Sequence, residues 1–167
     1  MANYRPFDGF GSYEAYVGGV VGEINTNTGI TMNISAFINE GTLTSSSNSP
    51  AYCGGMVGRL IGNTGLALDI NNMTNTGNIV GTSKDQSSWI GGLVGDFNSN
   101  AAANVIVKDS VNNGNVDSTG SPTYGGGLFA HFTNADSVVT VEGFLNNGDI
   151  NVSSSKALSY AGGFIGF

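Results

Sequence analysis

A Gly-Gly pair followed by two apolar residues recurs at Gly18, Gly54, Gly91, Gly126 and Gly162, at spacings of 36, 37, 35 and 36 residues. A second marker, Asn-x-Gly, falls between these copies at Asn39/Gly41, Asn75/Gly77, Asn112/Gly114 and Asn146/Gly148. Two markers that keep one period along the chain leave few folds open. Each period is one structural unit, and the units bury their apolar faces by stacking on one another.

Each period divides into three strand-like pieces. The first holds the Gly-Gly pair, as in Tyr52-Cys53-Gly54-Gly55-Met56-Val57-Gly58. The second alternates apolar and polar residues: Ile30/Met32/Ile34, Leu66/Leu68/Ile70, Val105/Val107 and Val139/Val141. A period of two is the mark of a half-buried strand. The third follows Asn-x-Gly and carries Leu43, Ile79, Val116 or Ile150. Three short strands per coil, with no helical stretch between, describe an all-β fold: a single-domain parallel β-helix, or solenoid, of about 36 residues per coil. Equivalent residues then stand about 4.8 Å apart in columns. The Asn of Asn-x-Gly is expected to form a ladder of amides, and its Gly to relieve a turn that needs positive φ. An antiparallel barrel or sandwich is the competing fold, but it does not require the same residue at the same place in every period.

These repeats resemble the GLUG-type repeats of microbial surface proteins, which carry Gly-Gly-apolar-apolar-Gly followed by an Asn- and Gly-rich strand. The matching segments are Gly18–Gly22, Gly54–Gly58, Gly91–Gly95 and Gly162–Gly166, whereas the fourth copy reads Gly126-Gly127-Leu128-Phe129-Ala130. The resemblance covers about residues 16–167. It implies an extracellular, repeat-built stalk or adhesin and brings no catalytic residues with it.

Charge narrows the partners. The 167 residues carry a net charge of −7 with only five Lys and Arg, so no basic patch can neutralise phosphates and nucleic acid is an unsuitable partner. No apolar run approaches the roughly 18 residues that span a bilayer. Cys53 is the single cysteine and has no partner for a disulfide or thiolate cluster. Residues 1–10 lack the basic and apolar regions of a signal peptide, so an extracellular or cell-surface location requires a removed leader or another export route, and a virion component is a further option. No cofactor or metal motif stands out: the glycines lack the Lys-Ser/Thr of a phosphate loop, and the calcium-repeat pattern is absent. Lys84, Lys108 and Lys156 are expected in loops, without the clustered acids that a polysaccharide-cutting enzyme needs. The sequons at Asn33, Asn72 and Asn151 are not equivalent in the repeat and indicate nothing in so Asn-rich a chain.

Two columns invite functional readings. Two places before each Gly-Gly stand Tyr16, Tyr52, Trp89, Tyr124 and Tyr160, an aromatic ladder in register. Strict alternation through the Gly-Gly pair puts these rings on one face with Val20, Met56, Leu93, Leu128 and Phe164, and makes both faces apolar. Three explanations stay open: a corner at Gly-Gly that turns both apolar sets inward, a lateral contact with a neighbouring subunit, or a strip on which a glycan stacks. The second column reads Glu23, Arg59, Asp96, His131, which places Arg59 between two carboxylates and His131 beside Asp96. Inter-coil pairing explains this column better than acid–base chemistry, because His131 has no second His or Cys to work with.

The chain ends read in two ways, as assembly surfaces or as the cut edges of a longer repeat protein. Asn3 and Phe7 fall where Asn39 and Leu43 fall, so residues 1–15 read as a degenerate partial repeat and docking segment, and residues 16–167 as the solenoid. The sequence stops on Gly162-Gly163-Phe164-Ile165-Gly166-Phe167, in a new repeat. Head-to-tail stacking of such ends gives an open fibre, with Asn3, Phe7, Phe10, Phe164, Ile165 and Phe167 at the contact. The expectation is therefore a non-enzymatic structural surface protein that pairs with further copies of itself. A carbohydrate- or host-binding adhesin module is the alternative.

Overall fold

In the computed structural model, residues 2–3, 7–62, 65–134 and 136–167 are described. Among them all regular structure is β-strand, wound as a parallel solenoid of about four turns. Five sheets form its walls. Wall 1 holds Ala15–Gly18, Ala51–Gly54, Ser88–Gly91, Thr123–Gly126 and Ser159–Gly162. Wall 2 holds Val21–Thr26, Val57–Gly62, Val94–Ser99 and Phe129–Asn134. Wall 3 holds Thr31–Ser35, Leu66–Asn71, Ala103–Lys108 and Val138–Glu142. Wall 4 is made of two-residue strands: Ala2–Asn3, Ile38–Asn39, Thr74–Asn75, Val111–Asn112 and Leu145–Asn146. Wall 5 holds Phe7–Gly11, Leu43–Ser47, Ile79–Ser83, Val116–Thr119 and Ile150–Ser153.

Every pairing is parallel and in the register that the repeat predicts. Met32, Leu68, Val105 and Val139 form one column, and Leu43, Ile79, Val116 and Ile150 another. The three expected pieces become five segments for two reasons. Asn-x-Gly carries a short strand of its own, and the Gly-Gly piece breaks into walls 1 and 2. At that break one carbonyl accepts two consecutive N–H groups from the preceding coil. Val20 and Val21 share Met56 O at 2.9 and 3.1 Å, and Met56 and Val57 share Leu93 O at the same distances. Such a bulge bends the strand and resets which side faces in. Strict alternation through the pair is thereby corrected. Met56, Leu93 and Leu128 point inward with Val57, Val94 and Phe129, while the rings two places before Gly-Gly stay outside.

The interior has two apolar compartments. The wide core fills the space within walls 2 and 3 and the Gly-Gly corner, with Met56, Leu60, Leu68, Ile70, Met73, Phe97 and Phe129 among its fully buried residues. The narrow core lies between walls 1 and 5 and contains Val17, Leu43, Cys53, Ile79, Ile90 and Val116. A polar waist divides them. Asn39 Nδ2 donates to Asn75 Oδ1, Asn75 to Asn112 and Asn112 to Asn146, each at 2.7 Å. Every one of these amides also donates to the carbonyl of its own Asn-x-Gly glycine at 2.9 Å. Asn39, Asn75 and Asn112 are buried, and burial is tolerated because the ladder satisfies them.

The glycine of Asn-x-Gly is there for space, which corrects the expectation of positive φ. A Cβ on Gly77 would stand 2.1 Å from Gly41 O, and one on Gly114 2.0 Å from Gly77 O. Left-handed backbone occurs instead at Ala36, Asn72, Asp109 and Gly143, equivalent positions at the corner between walls 3 and 4. Lys108 also departs from expectation: it ends a wall 3 strand and lies 3.4 Å from Glu142 Oε2.

Candidate functional site

Wall 2 runs back close against wall 1. A Cβ on Gly58 would meet Val17 O at 2.6 Å, and one on Gly95 would meet Cys53 O at 2.8 Å. The outer faces of the two walls therefore look at each other across a groove that runs parallel to the solenoid axis. One side carries Tyr16, Tyr52, Trp89, Tyr124 and Tyr160, and the other carries Glu23, Arg59, Asp96, His131 and Phe167.

The five rings form an unbroken stack. Successive centroids lie 5.1, 4.7, 5.7 and 5.1 Å apart and the planes agree within 12°. Parallel pairing at fixed register dictates this, since equal rotamers one strand apart place ring over ring. Tyr52, Trp89 and Tyr124 have a ring on each face. Trp89 Nε1 is buried without a hydrogen-bond partner, the one such buried side-chain nitrogen or oxygen among the described residues.

The charged side is arranged as the column predicts. Arg59 Nε donates to Asp96 Oδ2 at 3.2 Å, and its Nη1 lies 3.8 Å from Glu23 Oε1 and 3.6 Å from Glu14 Oε2. The same nitrogen donates to Tyr16 Oη at 3.2 Å, and the guanidinium stands 4.4 Å from the centre of the Tyr52 ring. Tyr16 in turn donates to Glu14. His131 Nδ1 lies 2.7 Å from Asp96 Oδ1, with Thr133 Oγ1 2.8 Å from Nε2. Phe167 lies parallel to the His131 ring at 5.7 Å and tilted against Tyr160 at 4.9 Å. Burial pushes the Tyr52 phenol well above its ordinary range, against the pull of Arg59. The Cys53 thiol behind it is also pushed far up by burial in the narrow core.

Each expected column is thus brought together, and the two meet in one groove. Glu14 and Phe167 join it as well. Phe167 is legible in hindsight as the next member of the His131 column, whereas Glu14 sits in a turn outside the repeat pattern. The chemistry available is limited by mutual pairing: Arg59 spends its donors on three carboxylates and a phenol, and Asp96 is shared between Arg59 and His131. No group of three His, Cys, Asp or Glu among the described residues could hold a metal ion.

The proposed assembly residues fall at the two ends of the stack. Backbone pairing sets Asn3 opposite Asn39, Phe7 opposite Leu43 and Phe10 opposite Ser46. The side chains of Asn3, Phe7 and Phe10 lie outside the described residues. At the other end Phe164, Ile165 and Phe167 are 38%, 37% and 57% exposed, and Ile165 bridges to Phe129. No helix among the described residues is long and apolar enough to cross a membrane. A scan of protein-family models, of curated proteins and of solved structures finds none that matches this chain.

Proposed function

We propose that this protein is a non-enzymatic structural module of a cell or particle surface, and that copies stack head to tail into a fibre. The observation that carries the reading is a section of core lying open on the last coil. Val139, Phe164 and Ile165 are 38%, 38% and 37% exposed, although the residues stacked beneath them, Val105, Leu128 and Phe129, are fully buried. A further coil in the same register covers such a surface, and a second copy supplies one. Stacked in register, Tyr160 meets Tyr16 of the next copy and Asn146 meets Asn3. Walls 1, 4 and 5 hold five strands and walls 2 and 3 hold four. Each junction then lacks one wall 3 strand and has only the short segment 164–167 in wall 2, which makes it the weakest point of the fibre. The resemblance to GLUG-type repeats supports a surface location. The mutual pairing of Arg59, Asp96 and His131 supports a structural use of the groove.

Deletion of residues 1–15 tests the reading. Sedimentation velocity over a concentration series should show large assemblies of the full chain and none of the deletion variant. Assemblies of unchanged size from the variant would refute head-to-tail docking.

Glycan binding is the second reading, and Tyr16 favours it, because among the described residues this ring has a stacked neighbour on one face only. Titration with soluble oligosaccharides should then quench ring fluorescence in the full chain and not in Tyr16→Ala. Equal response of both would remove this reading.

A further inference from the structure

The ring ladder contains two tyrosine–tyrosine steps of equal spacing and unequal surroundings. Tyr16–Tyr52 and Tyr124–Tyr160 both have centroids 5.1 Å apart, with planes 12° and 3° from parallel. Over the first pair sits Arg59, 5.8 Å from the Tyr16 centroid and 4.4 Å from that of Tyr52, and Tyr52 is only 3% exposed. A fixed cation on the ring face opposes removal of an electron from that ring. Among the described residues no Lys or Arg lies over the second pair, where the His131 ring stands tilted 5.7 Å from Tyr124, and both rings are partly exposed. Tyr124 also stacks on Trp89 at 5.7 Å, within 4° of parallel. A hole created on the indole therefore has a stacked phenol that can fill it, whereas Tyr52 on its other face, at 4.7 Å, lies under the Arg59 cation. Burial first, and then the neighbouring Tyr160, push the Tyr124 phenol up.

We propose that Tyr124 and Tyr160 form a site of oxidative cross-linking, joined ring carbon to ring carbon by a peroxidase-type one-electron oxidant working with hydrogen peroxide. Each phenol loses one electron and its hydroxyl proton, so the pair gives up two hydrogen atoms. The peroxide takes them and leaves as two waters. The two phenoxyl radicals couple through the carbons ortho to oxygen. The hydrogens on those carbons then return to the oxygens, which restores two phenols in one biaryl unit. In-register stacking sets like carbon over like carbon, so coupling requires one ring to close on the other with no change of strand pairing. The product staples the last wall 1 strand to the coil beneath it. The site lies within one chain, so it stands apart from whether copies stack.

The test treats dilute protein with hydrogen peroxide and a haem peroxidase, isolates the monomer fraction and maps it by peptide mass spectrometry. The expected result is dityrosine fluorescence with loss of two hydrogens, mapped to Tyr124–Tyr160. Tyr160→Phe should reduce it to background, and Tyr52→Phe should leave it unchanged. Circular dichroism of Tyr160→Phe checks that the solenoid is intact. The proposal is overturned if the monomer gains no dityrosine, if the link maps instead to the exposed Tyr13 or to Tyr16–Tyr52, or if Tyr160→Phe yields as much as the parent.

Discussion

The wide and the narrow core share every coil, yet they fill space in different ways. In the wide core large side chains meet in several layers, and Met56 and Met73 lie among them as adaptable fillers. The narrow core has room for one side chain between walls 1 and 5, so each bulky residue needs a small one opposite. A Cβ on Gly81 would stand 1.8 Å from Ile90 Cδ1, one on Gly9 2.6 Å from Val17 Cγ2, and one on Gly125 2.6 Å from Val152 Cγ1. Large and small swap sides from coil to coil. The columns are therefore uneven in size, with Gly9, Ser45, Gly81, Ser118 and Val152 stacked in one of them, and the matching is made locally. One compartment tolerates substitution by repacking. The other depends on paired volumes.

The strongest way to break this arrangement is to remove the partition. Asn75→Ala deletes two ladder bonds and one bond to Gly77 O, so that Asn39 Nδ2, Asn112 Oδ1 and Gly77 O each lose a buried hydrogen bond. With each orphaned group costing about 1–3 kcal/mol, a loss of about 4 kcal/mol is expected, read as a fall in the denaturant midpoint. Loss of under about 1 kcal/mol would show that the waist is not a structural element.

Gly81→Ala sharpens the contrast between the cores. Overpacking against Ile90 should cost about 2 kcal/mol, whereas the volume-conserving Leu68→Met in the wide core should cost about 1 kcal/mol or less. In an Ile90→Ala background the same Gly81→Ala change should become neutral or stabilising. Additive costs in this double-mutant cycle would disprove volume pairing.

Cys53 probes the narrow core through pH. Burial raises its folded pKa, so above the ordinary thiol value of about 8.5 the unfolded chain loses the proton while the folded chain keeps it. The folded state then binds more protons, and stability falls as pH rises, by up to about 1.4 kcal/mol per unit. Tyr52, also raised, adds to the fall only above about pH 10. Cys53→Ala should flatten the profile between these two points, measured by urea unfolding at several pH values. An unchanged slope would show that the thiol is not sealed.

The smallest expected effect lies at the corner between walls 3 and 4. Ala36 has φ of 52°, a conformation that its equivalent three coils on meets with Gly143. Ala36→Gly should stabilise by about 1 kcal/mol by relieving Cβ strain, offset in part by entropy of the unfolded chain. Destabilisation would mean that the Ala36 methyl contributes packing that outweighs the strain.

What the sequence made legible follows from what stacking repeats. The period, the apolar columns, the Asn ladder and the order Glu23, Arg59, Asp96, His131 all reappear, because parallel register converts equal spacing into contact. Other features left no repeated mark. The left-handed corner is occupied by Ala, Asn, Asp and Gly in turn, so no residue type announces it. Volume pairing of Gly81 with Ile90 relates two strands within a coil and not one column across coils. The bulge at Gly-Gly depends on a carbonyl shared by two N–H groups, which alternation of residue types does not encode. The groove leaves no mark in the sequence for the same reason: its two sides are separate columns there, and only the bulge folds wall 2 against wall 1.

Cryo-electron microscopy of the concentrated full chain tests the central proposal most directly. Head-to-tail stacking predicts unbranched rods in which the strand spacing of about 4.8 Å continues through the junctions, with an axial repeat of about five strand spacings. Monodisperse single particles at every concentration, or bundles joined side by side with the coil ends free, would contradict it.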